Sequence, residues 1–402
     1  MHQLGPWLSL VVMAVSGQPA PSRVRPGLDV LLTDSLHLVR GLRVGLVANQ
    51  ASVDQNGVHA VERLRAAGVT LEALFSPEHG FRGSAAPGES VPTSVDSATG
   101  LPIYSLYGST RAPSAQMLDR LDLILIDLPD VGARYFTYVS TAALVIQAAV
   151  PLGKRILVLD RPNPLGGTVQ GNVLDTAFRS FVGGFPVPMR HGLTLGEFAR
   201  WISSGVGLQR GVGVVPAVGW RRRDDAFDTN LPFIPPSPNL KDVESLFHYP
   251  GSCLFEGTAL SVGRGSDAPY SQVGAPWLDT VAVLRILRRA HLPGVRFTGT
   301  VFTPRRPGDG KFADTTVVGI RIRLTDRRRY DPAHAGVVML AAIHAVHGDR
   351  IGFGAAHFDR LAGGSDLREA IQAAVPARRI VARWKPALAR YRARLEPFLI
   401  YR

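Results

Sequence analysis

The chain has very little of several features that define large protein classes. Cys253 is the only cysteine in 402 residues, which excludes an internal disulfide and every zinc site built from several cysteines. No G-x-G-x-x-G, Walker, H-E-x-x-H or G-x-S-x-G motif occurs, so the sequence gives no support to dinucleotide binding, P-loop chemistry or the common hydrolase motifs. We therefore expect a protein that needs no cofactor.

A metal site is weakly supported for a different reason. His79, Asp127, Asp130 and His191 are the residue types that bind metals, but they lack the tight spacing of a strong metal motif. Histidines in such positions are more often hydrogen-bonded structural groups. The sequence therefore predicts no metal.

Acidic residues are also scarce relative to basic ones. The chain has 45 Lys and Arg but only 32 Asp and Glu, which gives a formal net charge of +13. The excess lies mainly in short arginine runs, such as 221–223 and 327–329. These runs lack the interleaved aromatic residues that stack on bases, so nucleic acid is not expected as a partner. An anionic ligand and a simple solvated basic surface both remain open.

No long hydrophobic run is present, and the longest apolar segment near the start is too short to span a bilayer. Residues Trp7 to Val15 are apolar and are followed by small residues up to Ala20. This arrangement is typical of a secretory signal, although no Lys or Arg precedes it. We predict a signal peptide over residues 1–22 and an exported protein, periplasmic or secreted. A buried first strand is the alternative.

The composition, 46% hydrophobic and 19% charged, predicts a compact protein, and the length predicts two domains. Within residues 24–236, apolar strands alternate with helices, which predicts a doubly wound parallel sheet. The predicted elements are the strands Gly41 to Asn49, Val69 to Phe75, Leu121 to Asp127 and Arg155 to Leu159, and the helices Val58 to Ala67, Thr137 to Ala149 and Leu195 to Ser203.

The Pro-rich segment Arg221 to Asn239 interrupts this alternation and is predicted to be a linker or an inter-domain crossing. Residues 237–402 are then expected to form a smaller α/β or α+β domain. Its predicted helices are Leu278 to Ala290, Ala335 to Val346, Leu367 to Ala374 and Ala377 to Leu395, and its predicted strands are Arg296 to Phe302 and Thr316 to Leu324.

Polar and charged side chains follow three of the predicted strands. Since the carboxyl ends of parallel strands meet at one edge of a sheet, where ligands bind in such folds, we expect these side chains to converge. Arg190 and His191 add charge at the amino end of the helix that begins at Leu195. The side chains at the strand ends are Glu78, His79 and Arg82, then Asp127, Asp130, Arg134 and Tyr135, then Asp160, Arg161 and Asn163.

Five segments, in this order, together resemble the peptidoglycan exo-β-N-acetylmuramidase family. The resemblance runs from about Gly27 to the carboxyl terminus, and the motifs are specific in combination. They are Pro77-Glu-His-Gly-Phe-Arg-Gly83, Asp127-Leu-Pro-Asp-Val-Gly-Ala-Arg-Tyr-Phe-Thr-Tyr138, Leu159-Asp-Arg-Pro-Asn-Pro164, Pro188-Met-Arg-His-Gly192 and Leu254-Phe-Glu-Gly-Thr258.

The resemblance implies a Rossmann-like domain without a nucleotide, a smaller carboxyl-terminal domain and an active cleft between them. It also implies release of N-acetylmuramic acid from the non-reducing ends of peptidoglycan fragments. Glu78 takes the position of the family's catalytic acid. The lactyl carboxylate of the sugar suits a bidentate arginine, and the candidates are Arg82, Arg134, Arg161 and Arg190. The further predicted substrate contacts are His79, Tyr135, Asp160, Asn163, His191 and Glu256.

A glycosidase usually needs a second group beside its acid, and here that group is open. Gln170 is an amide where relatives resembling this chain carry an acid, and an amide is neither a base nor a nucleophile. The substrate's own acetamido oxygen could attack, with Gln170 orienting it. Asp127, Asp130 or Asp160 could instead activate water. A third possibility is a structural Gln170 in a slow or inactive enzyme.

Three other functions are alternatives to the muramidase hypothesis. The chain could hydrolyse another 2-acetamido sugar, could be an amidase acting on cell-wall fragments, or could bind cell wall without turnover. The clustered carboxylates favour an enzyme, because a pure binder of an anionic sugar gains nothing from acids beside it.

Overall fold

The computed structural model describes residues 24–83, 85–86 and 88–402. The predicted signal peptide, and the predicted start of the mature chain, lie outside these residues. In the part that is described, no helix is both long and apolar enough to cross a bilayer.

The described residues form twelve strands and thirteen α-helices. The strands are β1 (Arg43–Ala48), β2 (Thr70–Ser76), β3 (Ser94–Val95), β4 (Pro102–Ser105), β5 (Leu123–Asp127), β6 (Arg155–Leu159), β7 (Gln170–Val173), β8 (Pro188–Arg190), β9 (Val212–Val215), β10 (Gln272–Ala275), β11 (Val295–Phe302) and β12 (Val317–Leu324). The helices are α1 (Gly27–Asp34), α2 (Ala60–Ala66), α3 (Ala115–Leu118), α4 (Tyr138–Ala149), α5 (Leu195–Gly205), α6 (Ala226–Thr229), α7 (Val243–Ser252), α8 (Thr280–Arg289), α9 (Pro332–His347), α10 (Ala355–Ala362), α11 (Asp366–Gln372), α12 (Ala377–Ala382) and α13 (Lys385–Leu395).

The predicted doubly wound parallel sheet is confirmed. Its strand order is β3-β4-β2-β1-β5-β6-β9, and all of its pairings are parallel except the one between β3 and β4. The chain moves outward from β1 through β2 to β4, and then outward in the other direction through β5 and β6 to β9. The order therefore reverses between β1 and β5, the place where folds of this kind bind ligands.

Strands β1, β5 and β6 form because their sequences are apolar on both faces. Apart from the first residue of β1 and of β6, every residue in these three strands is buried. Helices α1 and α2 cover one face of the sheet, and α4 and α5 the other. Helix α5 begins at a capping box, in which Thr194 and Glu197 bond to each other's backbone N–H groups.

The second half contains a three-stranded antiparallel sheet, ordered β10-β12-β11, packed against helices. Helices α7 and α9 approach each other through Gly251 and Gly336, where a Cβ atom on Gly251 would collide with the backbone of Pro332. One hydrophobic cluster continues from the main sheet into this half. The halves therefore share a core.

Two predictions about the second half need correction. The helix predicted from Ala377 to Leu395 is two helices, α12 and α13, because Pro386 has no backbone N–H and suits only the first turn of a new helix. The segment predicted as a linker is packed and partly helical. Its Arg222 pairs with buried Glu197, and its Pro235 and Pro236 carbonyls accept bonds from residues that follow β1.

Candidate active site

Glu78 lies just beyond the end of β2, at the carboxyl edge of the sheet, and is half-buried. Its Oε2 accepts a hydrogen bond of 2.8 Å from Thr137 Oγ1, and its Oε1 accepts one of 3.0 Å from the Gly88 backbone. Tyr107 lies nearby, and burial, followed by the charge of the Glu78 carboxylate, raises the pKa of Tyr107 to about 12. These bonds hold the carboxyl group in one orientation while leaving it partly accessible.

The backbone turns sharply after Glu78. His79 has φ of 72° and Gly80 has φ of 78°, and the left-handed conformation is unusual for a residue with a side chain. His79 Nδ1 bonds to the Ala85 carbonyl at 3.1 Å. Holding a non-glycine residue there costs on the order of 1–3 kcal/mol, and such strain concentrates at functional turns.

A tyrosine connects the ends of β1 and β2. The Tyr138 hydroxyl accepts a bond from Asn49 Nδ2 at 2.8 Å and lies 3.2 Å from the Glu78 carbonyl and 3.0 Å from the Pro236 carbonyl. Thr137 and Tyr138 stand at the start of α4, so this helix fixes both the carboxyl group and the backbone of Glu78. Thr137 is a contact that the sequence reasoning missed, although it belongs to a motif that was singled out.

The second half of the chain places charged groups near this edge. Glu256 accepts hydrogen bonds from Arg264 and Tyr270, the latter at 2.6 Å. Burial alone would raise the pKa of Glu256, but the Arg264 charge and these bonds hold it below its usual value. Burial also lowers the pKa of His79, and the Arg264 charge adds to that effect while Glu78 opposes it. Arg264 is thus within electrostatic reach of the Glu78 turn.

Asp127 and Arg161, predicted to act separately on substrate, are paired with each other. Arg161 Nε donates to Asp127 Oδ1 at 2.6 Å and its Nη2 donates to Oδ2 at 3.0 Å, and Asp127 is fully buried. Arg161 also donates to the Val53 carbonyl at 2.8 Å. The pair ties β5, β6 and the turn after β1 together, and neither charge is free.

Asp160, at the end of β6, is also buried and fully bonded. It accepts hydrogen bonds from Thr194 Oγ1 and the Tyr401 hydroxyl, both at 2.7 Å, and from the Gly196 backbone at 2.8 Å. Burial raises its pKa to about 6, although the bonds from Thr194 and Tyr401 act in the opposite direction. Asp160 therefore fastens the start of α5 and the end of the chain to the sheet.

Asp130 lies at the reversal point of the sheet. Its Oδ2 accepts a bond of 2.8 Å from the Gly132 backbone and lies 3.1 Å from Nε2 of buried His191, while its Oδ1 is buried with no hydrogen-bond partner among the described residues. The residue lines a small cavity of about 110 Å³, which residues 231–234 and Pro236 also line. The carbonyl of Pro236 accepts a hydrogen bond from the Tyr138 hydroxyl.

Arg134, Tyr135 and Asn163 serve the packing of the chain. The buried Arg134 guanidinium donates to the carbonyls of Asn172, Val187 and Leu361. The Tyr135 hydroxyl donates to the Pro250 carbonyl at 3.1 Å, and Asn163 bridges the Leu193 carbonyl and the Leu165 backbone. Arg134 Nε is the one atom of these groups that is buried without a hydrogen-bond partner among the described residues, and the other polar groups named here are bonded within the fold.

Gln170 and Arg190 face each other across the β7–β8 pair. Arg190 Nη1 donates to Gln170 Oε1 at 2.9 Å, and Gln170 Nε2 donates to the Tyr330 carbonyl at 3.3 Å. Arg190 also donates to the Leu165 carbonyl, and burial lowers its pKa to about 10. Within the described part of the chain, no contact connects Gln170 to Glu78.

Arg82 is exposed and forms an ion pair of 2.5 Å with Asp96 on the outside of the sheet edge. A further arginine that the sequence reasoning missed, Arg111, lies next to Tyr107, which is within electrostatic reach of Glu78. Residues 24–83, 85–86 and 88–402 hold no group of three His, Cys, Asp or Glu side chains placed to bind a metal ion.

The chain matches a known protein family over most of its length. Residues 44–244 match the family model described as exo-beta-N-acetylmuramidase NamZ, N-terminal, and residues 247–401 match its C-terminal counterpart. The chain is 37% identical to the peptidoglycan beta-N-acetylmuramidase NamZ of Bacillus subtilis, over 94% of this chain and 92% of that protein.

Two crystal structures of DUF1343 family proteins from Bacteroides fragilis have the same fold. One has a TM-score of 0.87 and 31% identity, covering 96% of this chain and all of the other. The second has a TM-score of 0.76 and 30% identity, covering 95% of this chain and 99% of the other.

Proposed function

The chain belongs to the exo-β-N-acetylmuramidase NamZ family, and we propose that it releases N-acetylmuramic acid from the non-reducing ends of peptidoglycan fragments. It is accordingly a glycosidase, and its substrate is a muramyl glycan. The observation that carries the proposal is the setting of Glu78, the strand-end carboxylate that is bonded by neutral donors only and remains partly accessible.

Glu78 is the general acid of this proposal. A glycosidase must protonate the leaving oxygen, so its acid has to reach the substrate and exchange a proton with it. Thr137 and Gly88 orient the carboxyl group without neutralising it by a counter-charge. Asp127, in contrast, is bonded through both oxygens to Arg161 and is shielded from any ligand.

The substrate's acetamido oxygen supplies the nucleophile in this proposal. The bonding of Asp127 and Asp160 supports that choice, because a carboxylate whose oxygens are already satisfied in the core is a poor base for water. Asp130 remains the competing carboxylate, since its Oδ1 has no partner among the described residues. An otherwise identical substrate with a 2-hydroxyl group should bind and hardly turn over, whereas comparable cleavage of that analogue would assign the role to a carboxylate such as Asp130.

The direct test compares two chromogenic substrates, an N-acetylmuraminide and the matching N-acetylglucosaminide. We expect hydrolysis of the first, and release of single N-acetylmuramic acid units from the non-reducing ends of purified glycan fragments by mass spectrometry. Faster hydrolysis of the glucosaminide would point to another 2-acetamido sugar. Binding of fragments without turnover would point to a cell-wall-binding protein, and release of peptide would point to an amidase.

We also propose that the protein is exported, which suits a substrate that lies outside the cytoplasm. The support is the apolar segment from Trp7 to Val15 and the small residues that follow it. Amino-terminal sequencing of the natively expressed protein should find a start near residues 20–23. A soluble cytoplasmic protein that begins at Met1 or His2 would refute export.

A further inference from the structure

Arg111 is exposed, yet two aromatic rings position its side chain. Its guanidinium carbon lies 4.4 Å from the centre of the Phe181 ring and 6.0 Å from the centre of the Tyr107 ring. The two rings are 5.8 Å apart. A planar guanidinium held over aromatic faces keeps its N–H groups free at its edge, so it is ready to bind a planar anion with two parallel bonds.

The group is close to the proposed acid. The Tyr107 ring lies beside Arg111, and Tyr107 is close enough to Glu78 for that carboxylate, together with the larger effect of burial, to raise the pKa of Tyr107. The Phe181 carbonyl accepts a bond of 2.8 Å from Ser140 Oγ, on the same helix, α4, whose first turn follows Thr137. The elements that orient Glu78 therefore also orient the rings under Arg111.

Arg111 also differs from the arginines predicted to clamp the substrate. Arg82 pairs with Asp96, Arg161 pairs with Asp127, and Arg134 and Arg190 are buried with carbonyl or amide oxygens as partners. In the described part of the chain, Arg111 forms no ion pair, and its guanidinium lies over the two rings. It is a positioned cation beside the active carboxylate that has no acidic partner of its own.

We propose that Arg111 binds the lactyl carboxylate of the N-acetylmuramic acid unit and sets the preference for that sugar over N-acetylglucosamine. The inference rests on the proposed function. The lactyl group is attached to C3 of the same ring whose C1 carries the leaving oxygen, so the acid and the carboxylate receptor must lie on neighbouring parts of one site. Charge-assisted bidentate bonds of this kind are the strong ones, and the rings reduce the loss of side-chain freedom on binding.

The test compares Arg111→Gln and Arg111→Lys with wild type on the two chromogenic substrates. Arg111→Gln should lower kcat/KM on the muraminide by roughly 10- to 100-fold, the loss expected for one bond to a charged group, and leave the low rate on the glucosaminide unchanged. Arg111→Lys should retain part of the activity, because it keeps the charge and loses the bidentate geometry. Arg40→Gln is the matched control, since Arg40 is exposed near the opposite, amino edge of the sheet.

Two kinetic outcomes overturn the proposal. Equal losses on both substrates would mean that Arg111 only supports the Glu78 site. An unchanged muraminide rate would mean that the lactyl group does not touch Arg111. Wild-type protein that hydrolyses neither substrate would refute the proposed function instead, and calorimetry with the free sugars then decides the binding claim. Wild type must bind N-acetylmuramic acid more tightly than N-acetylglucosamine, and Arg111→Gln must remove that difference.

Discussion

The ends of β2 and β5 both carry a carboxylate at the same edge of the sheet, and the two carboxylates are bonded in opposite ways. Glu78 is half-buried and takes its bonds from a hydroxyl group and a backbone N–H. Asp127 is fully buried and takes its bonds from the guanidinium of Arg161. The accessible setting of Glu78 suits a group that must exchange a proton with a substrate. The buried, paired setting of Asp127 suits a group that joins strands.

The comparison teaches that convergence of charged residues at a ligand-binding edge does not make each of them functional. Asp160 and the Arg190–Gln170 pair follow the pattern of Asp127, because their side chains are bonded to other groups of the fold. Buried polar groups must be bonded, so an edge this rich in charge needs many internal pairs. Glu78 is the strand-end carboxylate that remains partly accessible, whereas the unpartnered Oδ1 of Asp130 is buried.

The substitution Glu78→Gln should distinguish the roles of the two carboxylates most clearly. This change keeps the shape of the side chain and removes the proton that a general acid delivers. We expect turnover on the chromogenic N-acetylmuraminide to fall by roughly 10²- to 10⁴-fold, while the far-ultraviolet spectrum and the binding of product stay as in wild type. Near-normal turnover in a folded Glu78→Gln protein would remove this residue from the mechanism.

Asp127→Asn tests the structural role of the second carboxylate. Arg161 would keep its charge in a nearly buried position without a counter-charge, which costs on the order of 3–5 kcal/mol in the free energy of unfolding. Urea titration measures the loss. Asp122→Asn is the matched control at the other end of the same strand, where the ion pair with Arg43 is solvent-exposed and its removal should hardly change stability. Equal stability of the two variants would contradict the structural role of Asp127.

Asp160 should make the stability of the protein depend on pH. Burial raises its pKa to about 6 in the folded protein, against roughly 3.9 in an unfolded chain. The neutral form therefore favours folding, and this contribution is present below about pH 4 and lost as pH rises through 6. The stability of wild type relative to Asp160→Asn should fall by roughly 1–3 kcal/mol between pH 4 and pH 7, as followed by urea titration at each pH. A constant difference across this range would show that Asp160 is ionised throughout.

Gln170→Ala decides between two roles for this residue. Its amide oxygen is an acceptor for buried Arg190, so its removal should cost about 1–3 kcal/mol in the free energy of unfolding and leave turnover per folded molecule near that of wild type. A large loss of turnover with little loss of stability would instead support the role predicted from the sequence, in which Gln170 orients the substrate's acetamido group.

Much of the fold could be predicted because it depends on local pattern. The apolar runs that became β1, β2, β5 and β6, and the capping box of α5, are visible in a few consecutive residues. Strands β4 and β9 were missed, since each has only four residues and contains a Pro or a Gly. The break between α12 and α13 was missed although Pro386 marks it.

The sequence by itself determined the alternation of strands and helices, the edge at which the charged residues gather, and the family through its ordered motifs. Only the tertiary structure decided which of these charged side chains pair with one another, because pairing depends on distances between residues far apart in the chain. Asp127 and Arg161 are 34 positions apart, and Asp160 and Tyr401 are 241 apart. The contact of Arg111 with Phe181 likewise arises from two loops brought together by folding, and no local pattern contains it.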